Sequence, residues 1–281
     1  MGGEALTETA DHYDRVAAGY QEWWAPVIAP AALRLLDLVA PAVDGRADAA
    51  IVDVGSGTGT LARAAVARWP DARLTAVDPS PGMLATGRSE ATRTLAPSAA
   101  GRLDWRLGTA ERLPLADDCA DAVVSSFAFQ RMRSRAAGLR EAYRVLRPGG
   151  MVAVVTWLAA DRPFEPRDLY LAVIRELGLE RPASGGVHRP FRNESSAAAL
   201  VRRAGFRRAR AFGGTVEKRW TPDAYVACMF AAEDHDFVAT LDDPTRDRLE
   251  ALWRERLSRL EASAFRYRDP IIYVVGGRPG P

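Results

Sequence analysis

The chain has 281 residues, 48% of them hydrophobic and 26% charged, with a formal net charge of +2. That is the balance of a soluble globular protein with room for a sizeable core, and it gives no electrostatic case for a nucleic-acid partner. Cys119 and Cys228 stand too far apart for metal-ligand spacing and suit a reducing compartment, so no metal is expected.

Residues 1 to 9 read as a disordered tail. Glu4, Glu8 and Asp11 stand where a secretory signal would be basic, and no apolar run approaches the ~20 residues that cross a bilayer. The expectation is a cytoplasmic protein without a membrane partner. Asp11 to Trp24 reads as a short amphipathic helix carrying Tyr13, Tyr20, Trp23 and Trp24. A second helix runs through Leu33 to Val39 and is closed by Pro41 and the Gly45-Arg46-Ala47-Asp48 stretch.

Ile51-Val52-Asp53-Val54 then reads as a buried strand that runs straight into Gly55-Ser56-Gly57-Thr58-Gly59-Thr60, with a helical pattern opening at Leu61. Glycine lacks a Cβ, so a ligand can lie against the main chain, and a strand-to-helix turn presents unpaired N–H groups to it. The next strand, Arg73 to Val77, ends in Asp78, about 20 residues beyond the loop, the spacing of a ribose-binding acid. A carboxylate there accepts ribose hydroxyls and disfavours a 2′-phosphate; as a bland alternative it caps the helix that follows Pro79-Ser80-Pro81.

A helix from Gly82 to Arg93, a loop at 97–101 and a strand Leu103 to Leu107 follow. Ala122 to Phe127 is a continuous apolar strand of the parallel-sheet kind. After a helix from Ala136 to Leu146 comes the Arg147-Pro148-Gly149-Gly150 turn and a strand from Met151 to Trp157. The second half predicts helices at Arg167–Leu177 and Glu194–Arg203, a strand from Phe206 to Trp220, a helical stretch at 221–264 and a last strand from Arg268 to Val275. Alternating strands and helices of these lengths predict an α/β doubly wound sheet. We read residues 1–281 as one domain, with N-terminal helices 10–40 and inserts 158–192 and 221–264 capping the crevice at the carboxyl edge of the strands.

Three further stretches give the chain its resemblance. They are Thr109-Ala110-Glu111-Arg112-Leu113-Pro114-Leu115, Asp121 through Gln130, and Glu141 through Gly150. With the Val52 to Gly59 loop and Asp78, they make residues 10 to 157 resemble a class I S-adenosylmethionine-dependent methyltransferase of the small-molecule kind, more loosely through Leu200 to Phe206. The resemblance implies a Rossmann-like sheet of seven strands with the last inserted antiparallel, and S-adenosyl-L-methionine as cofactor. It implies that Gly55, Ser56 and Gly57 pass beside the methionine part, with Ser125 below it. Asp78 would hold the ribose, Pro79 and Met83 would pack near the adenine, and Ala110 and Glu111 would flank the adenine edge. Where the family often has an acid toward the adenine amino group, this chain has Thr109, whose hydroxyl accepts more weakly.

Methyl transfer from a sulfonium to a nucleophile draws most of its rate from positioning and water exclusion, and needs a base only for a protonated acceptor. No catalytic residue is assigned from the sequence. His188, in a Val187-His188-Arg189-Pro190 loop, is a candidate base or an exposed loop histidine; His12 and His235 sit on polar helices as solvated residues. Gln130 is a candidate pocket contact after the fourth strand, and Tyr20 and Trp23 are candidates to close over the cofactor's cation. Cys119 and Cys228 read as structural thiols. The leading expectation is methylation of a small organic molecule, in specialised metabolism or quinone-like chemistry, by a monomer or homodimer. Two others stand beside it. One is nucleic-acid modification, resting on Arg202, Arg203, Arg207, Arg208 and Arg210; the other is a cofactor-binding regulator without transferase activity.

Overall fold

The computed structural model describes residues 4–160, 163–182 and 188–280. Residues 1–3 of the expected tail, and residues 161, 162 and 183–187 of the expected first insert, lie outside the described residues. Seven strands form one sheet in the order β3-β2-β1-β4-β5-β7-β6. They are β1 Ala50–Val54, β2 Arg73–Asp78, β3 Leu103–Leu107, β4 Ala120–Ser126, β5 Leu146–Trp157, β6 Arg207–Arg219 and β7 Arg266–Gly277. β1 to β5 pair parallel, whereas β7 runs antiparallel between β5 and β6. This is the Rossmann-like arrangement with the last strand reversed that the resemblance implies.

Helices cover both faces. They are α1 Glu4–Gly19, α2 Ala25–Val43, α3 Thr60–Arg68, α4 Pro81–Thr94, the single turn α5 Pro97–Ala100, α6 Arg135–Val145, α7 Glu165–Glu176, α8 Glu194–Arg203, α9 Pro222–Cys228, the short α10 His235–Val238 and α11 Asp243–Leu257. The strands alternate with period two between two buried clusters. Ile51, Val124, Val155 and Ile271 point into one, and Val52, Val123, Val154 and Ile272 into the other. Both faces being buried explains why these strands are apolar along their length. Ser80, Ser134, Asn193, Thr221 and Asp242 each accept a backbone N–H at a helix start, fixing where α4, α6, α8, α9 and α11 begin.

The N-terminus departs most from expectation. Residues 4–9 are helical rather than a tail, and α1 continues through a π-helical turn, Tyr20–Trp24, into α2. Pro41 lies inside α2 instead of closing it. The continuous helix Glu8–Val43 therefore holds an 18-residue window of mean hydropathy 1.6, contrary to the reading that no such run exists. Just over half of that window (56%) is buried, with Leu35, Leu36 and Val39 in the core under the sheet. Two smaller differences are the α5 turn within the expected 97–101 loop, and the Arg147–Gly150 turn, which belongs to β5.

Three sets of contacts fasten α1. Asp14 Oδ1 accepts from the Ser80 hydroxyl at 2.5 Å and the Gly82 N–H at 2.7 Å, so a carboxylate sits at the start of α4, where the helix dipole favours it. Gly19 abuts a second π-helical turn, Met229–Glu233: a Cβ on Gly19 would stand 2.1 Å from the Ala231 carbonyl oxygen. Arg15 and His12 also reach Asp236, at 2.7 and 2.8 Å. Asp14→Ala is expected to lower stability by about 1–2 kcal/mol, the usual loss of a capping carboxylate, read as a drop in Tm. An unchanged Tm would show that α1 is held without this contact.

Candidate functional site

The site is built on the left-handed glycine loop. Gly55, Gly57 and Gly59 have φ of 69°, 53° and 75°, a region that L side chains avoid. Space forbids a side chain as well, since a Cβ on Gly55 would meet the Ala128 Cβ at 2.3 Å. The Gly55 and Ser56 N–H groups donate to the Val77 carbonyl at 2.8 and 3.1 Å, tying the loop to β2. Asp78 completes the tie: its carboxylate accepts from Gly57 N–H at 2.8 Å and from Ser80 N–H at 2.9 Å. Ser80, not Asp78, caps α4. Burial pushes the Asp78 pKa up to about 6 even though both backbone donors pull it down.

A cleft of about 750 Å³, partly open to solvent, lies over this loop. The loop contributes Gly55 and Gly57, the end of β2 and the first turn of α4 contribute Asp78, Pro79 and Met83, and the turn after β3 contributes Thr109, Ala110 and Glu111. Tyr20 comes over from the π-helical turn. Nine residues of separate stretches thus converge on one cleft.

Two expected members lie elsewhere. Ser125 is fully buried and its hydroxyl donates to the Val54 carbonyl at 2.7 Å, stitching β4 to β1. Its neighbour Ser126, at the strand's carboxyl end, lines the cleft instead. Ser56 turns behind the loop into a smaller adjoining space that it shares with Asp53, Thr58 and Tyr20. There the Ser56 hydroxyl and both carboxylate oxygens of Asp53 are buried without a hydrogen-bond partner. Burial, with the neighbouring Asp78 charge, raises the Asp53 pKa to about 8. A buried carboxylate with no donor is costly unless something cationic or donor-bearing meets it. The sequence offered one sign of this, an acid inside an otherwise apolar strand.

A larger cavity adjoins the cleft, about 2480 Å³ with the open solvent at its mouth included. Tyr13, Tyr20, Phe127 and Arg131 line both. Its walls come from α1, the turn after β4, the end of β5, α7, the Met229–Glu233 turn and the start of β7. Aromatic rings, among them Trp24, Trp157, Phe164 and Tyr225, share the lining with charged groups such as Arg167, Arg181 and Glu233. The expected Trp23 packs against the core, and Trp24 faces the cavity in its place. Tyr20 and Trp24, the first and last residues of the π-helical turn, face the cavity from the same side.

Phe127 has a left-handed φ of 52°, rare for an aromatic residue, which turns its ring against Trp157 at 4.6 Å. Gln130 braces that turn. It lines the cavity, but its amide donates to the Phe127 carbonyl and accepts from the Thr156 hydroxyl, so its polar ends are turned into the protein rather than toward a ligand. His188 lines the rim and is otherwise exposed; partial burial and the Arg131 charge lower its pKa, keeping it neutral. His12 is not a solvated residue but lines the cavity beside Asp236, while His235 lies 3.4 Å from the same acid. Cys228 is fully buried and burial raises its pKa, consistent with an inert thiol. Asp53, Ser126, Tyr13, Phe127, Trp24, Arg131 and Glu233 are among the lining residues that the sequence reading missed.

Residues 52–154 match the family model for a methyltransferase domain. The chain is 33% identical over 182 residues to the ubiquinone/menaquinone biosynthesis C-methyltransferase UbiE of Dinoroseobacter shibae, a match covering 61% of this chain and 70% of that protein. The demethylmenaquinone methyltransferase of Chlorobaculum parvum is 30% identical over 174 residues, or 60% of this chain and 65% of that one. UbiE proteins of Geotalea daltonii and Rubrivivax gelatinosus are matched over only 44% and 36% of their length. The YcgJ protein of Bacillus subtilis shares the fold, with a TM-score of 0.57 at 19% identity, covering 90% of this chain and 100% of that one. Glycine loop, buried acids, reversed last strand and sequence relatives agree: the chain belongs to the class I S-adenosylmethionine-dependent methyltransferases.

Proposed function

We propose that the cleft over the glycine loop holds S-adenosyl-L-methionine and that the larger cavity holds a small, ring-bearing organic acceptor. The carrying observation is the shared wall: Tyr13, Tyr20, Phe127 and Arg131 line both spaces, so two ligands would meet there. The aromatic lining suits a planar ring, and relatives named for ubiquinone and menaquinone biosynthesis support a quinone-like acceptor methylated at carbon.

The residues present fit the cofactor. The orphaned Asp53 carboxylate and Ser56 hydroxyl suit an amino-acid ammonium group, and Asp78 retains lone pairs for ribose hydroxyls. Pro79 and Met83 offer apolar contact, and Thr109, Ala110 and Glu111 an edge for the base. Tyr20 lines all three spaces and is placed for cation–π attraction, worth about 0.5–2 kcal/mol. When bound, the cofactor supplies a methyl group on a sulfonium centre. The chain's own part is to orient it, present the acceptor and exclude water behind α1 and the segments at 158–192 and 221–264, which we read as caps.

Asp78→Ala is expected to weaken S-adenosyl-L-methionine by about 1.5–3 kcal/mol, the loss of hydrogen bonds to a charged group, measured by calorimetry. Unchanged affinity would remove Asp78 from the site.

Asp53 gives a pH signature. Its pKa is raised from 3.8 to about 8, so the unliganded fold binds a proton there that the unfolded chain releases, and stability falls as pH rises across that window. Asp53→Asn is expected to flatten the pH dependence of Tm, to raise Tm above the wild-type value at the alkaline end, and to weaken cofactor binding. Parallel melting curves for the two proteins would show that Asp53 is not held protonated.

The acceptor reading is tested by incubating the protein with S-adenosyl-L-methionine and 1,4-naphthohydroquinone, alongside an unbiased acceptor panel, and following a mass gain of one CH2. Transfer to a ring-bearing small molecule is expected. Changing Arg203, Arg207 and Arg208 together to Gln should leave that turnover unaltered, because Arg207 begins β6 at the edge of the sheet opposite the cleft. Methylation of RNA or DNA with small molecules untouched would overturn the reading.

A further inference from the structure

We propose that Glu233, on the π-helical turn Met229–Glu233, is the carboxylate that takes the proton from the acceptor as it is methylated. The proposal rests on the acceptor reading of the larger cavity. Glu233 lines that cavity and its side chain is solvent-accessible, although protein surrounds it closely; both hold because the accessible space is the cavity itself. It lines the larger cavity and not the cleft over the glycine loop. Tyr20 and Arg131, which line both spaces, feel its charge or exert theirs on it.

The other acids nearby, Asp269 on the same cavity and Asp234 and Asp236 close to Glu233 in the chain, are engaged. Asp234 accepts from the Tyr170 hydroxyl at 2.8 Å and from Arg181 at 2.8 Å. Asp269 accepts from the Tyr267 hydroxyl at 2.6 Å, and Asp236 is held by Arg15 and His12. Glu233 has no partner among the described hydrogen bonds. Burial raises its pKa and Asp234 adds to that, while Arg131, Arg167 and Arg181 hold it down. The hydroxyls of Tyr20, Tyr225 and Tyr267 and the thiol of Cys228 also lie within its field. His12 and His188 are the rival bases of the same cavity: His12 is already paired with Asp236 at 2.8 Å, and a proton would make His188 a cation beside Arg131, where burial and that charge already lower its pKa. Glu233 becomes neutral on the same step, where burial already disfavours its charge.

The step balances. The acceptor's ring O–H bond breaks and its proton passes to a Glu233 oxygen. The freed electron pair bonds the methyl carbon from that oxygen or, delocalised into the ring, from the adjacent carbon, which afterwards loses its own C–H proton to water as the ring oxygen is reprotonated. The pair of the broken sulfur–methyl bond stays on sulfur. Water in the cavity then carries the proton away.

The test uses 4-nitrophenol bound to the full chain in the presence of S-adenosylhomocysteine, with ionisation of the bound phenol followed by absorbance against pH. A carboxylate facing the hydroxyl opposes phenolate formation, so the bound probe should ionise about one pH unit higher in wild type than in Glu233→Gln. Glu233→Asp, whose carboxylate is withdrawn by one methylene, should keep part of that difference. Identical ionisation in all three proteins at equal probe affinity overturns the proposal and leaves the acceptor reading standing. If wild type binds S-adenosylhomocysteine but no nitrophenol, the acceptor reading falls and the proposal with it.

Discussion

One carboxylate holds the working end of this molecule in shape. Asp78 accepts from Gly57 on one side and from Ser80 on the other, so the glycine loop and the start of α4 are fixed to the same two oxygens. Ser80 in turn passes its hydroxyl proton toward Asp14 of α1. A chain of short hydrogen bonds therefore links loop, strand end and N-terminal helix. Shape at the loop and position of α1 are one property, and a change at Asp78 reaches both. The left-handed glycines make the loop possible, and Asp78 makes it single-valued.

Against that satisfied acid stands an unsatisfied one. Asp53 is one residue from the loop, buried, and without a donor. An isolated buried charge opposes folding, and a parallel sheet packed on both faces leaves it no route to water. Such a residue is tolerated where a ligand removes the penalty, which is why locally unfavourable choices gather at functional sites. The raised pKa is the measure of that opposition.

Most of the fold was legible because its signals are local. β2, β3 and α8 begin and end where periodicity, prolines and capping residues put them. The cleft over the glycine loop was legible for a related reason: its residues sit in short stretches at strand ends. The misses are errors of phase. Ser125 and Ser126 differ by one step of a strand, which exchanges one face for the other. Trp23 and Trp24 exchange places because a π-helical turn adds a residue that no composition announces. The N-terminal helix was cut short because Pro41 was read as a stop, whereas α2 runs past it. The larger cavity had no local signal, since Tyr20, Arg131 and Glu233 become neighbours only through the tertiary fold.

The seat of Gly19 on Ala231 has a consequence for how the chain is made. A ribosome releases α1 and the apolar α2 first, but the turn that Gly19 packs against emerges roughly 200 residues later, on the order of 10–40 s at ordinary elongation rates. For that interval a stretch of mean hydropathy 1.6 lacks its last partner. Nascent chains therefore pass through a stage in which the glycine loop and the first five strands are made while the first helix is still uncovered and the sheet is still open, since β7, the strand that joins β5 to β6, emerges last.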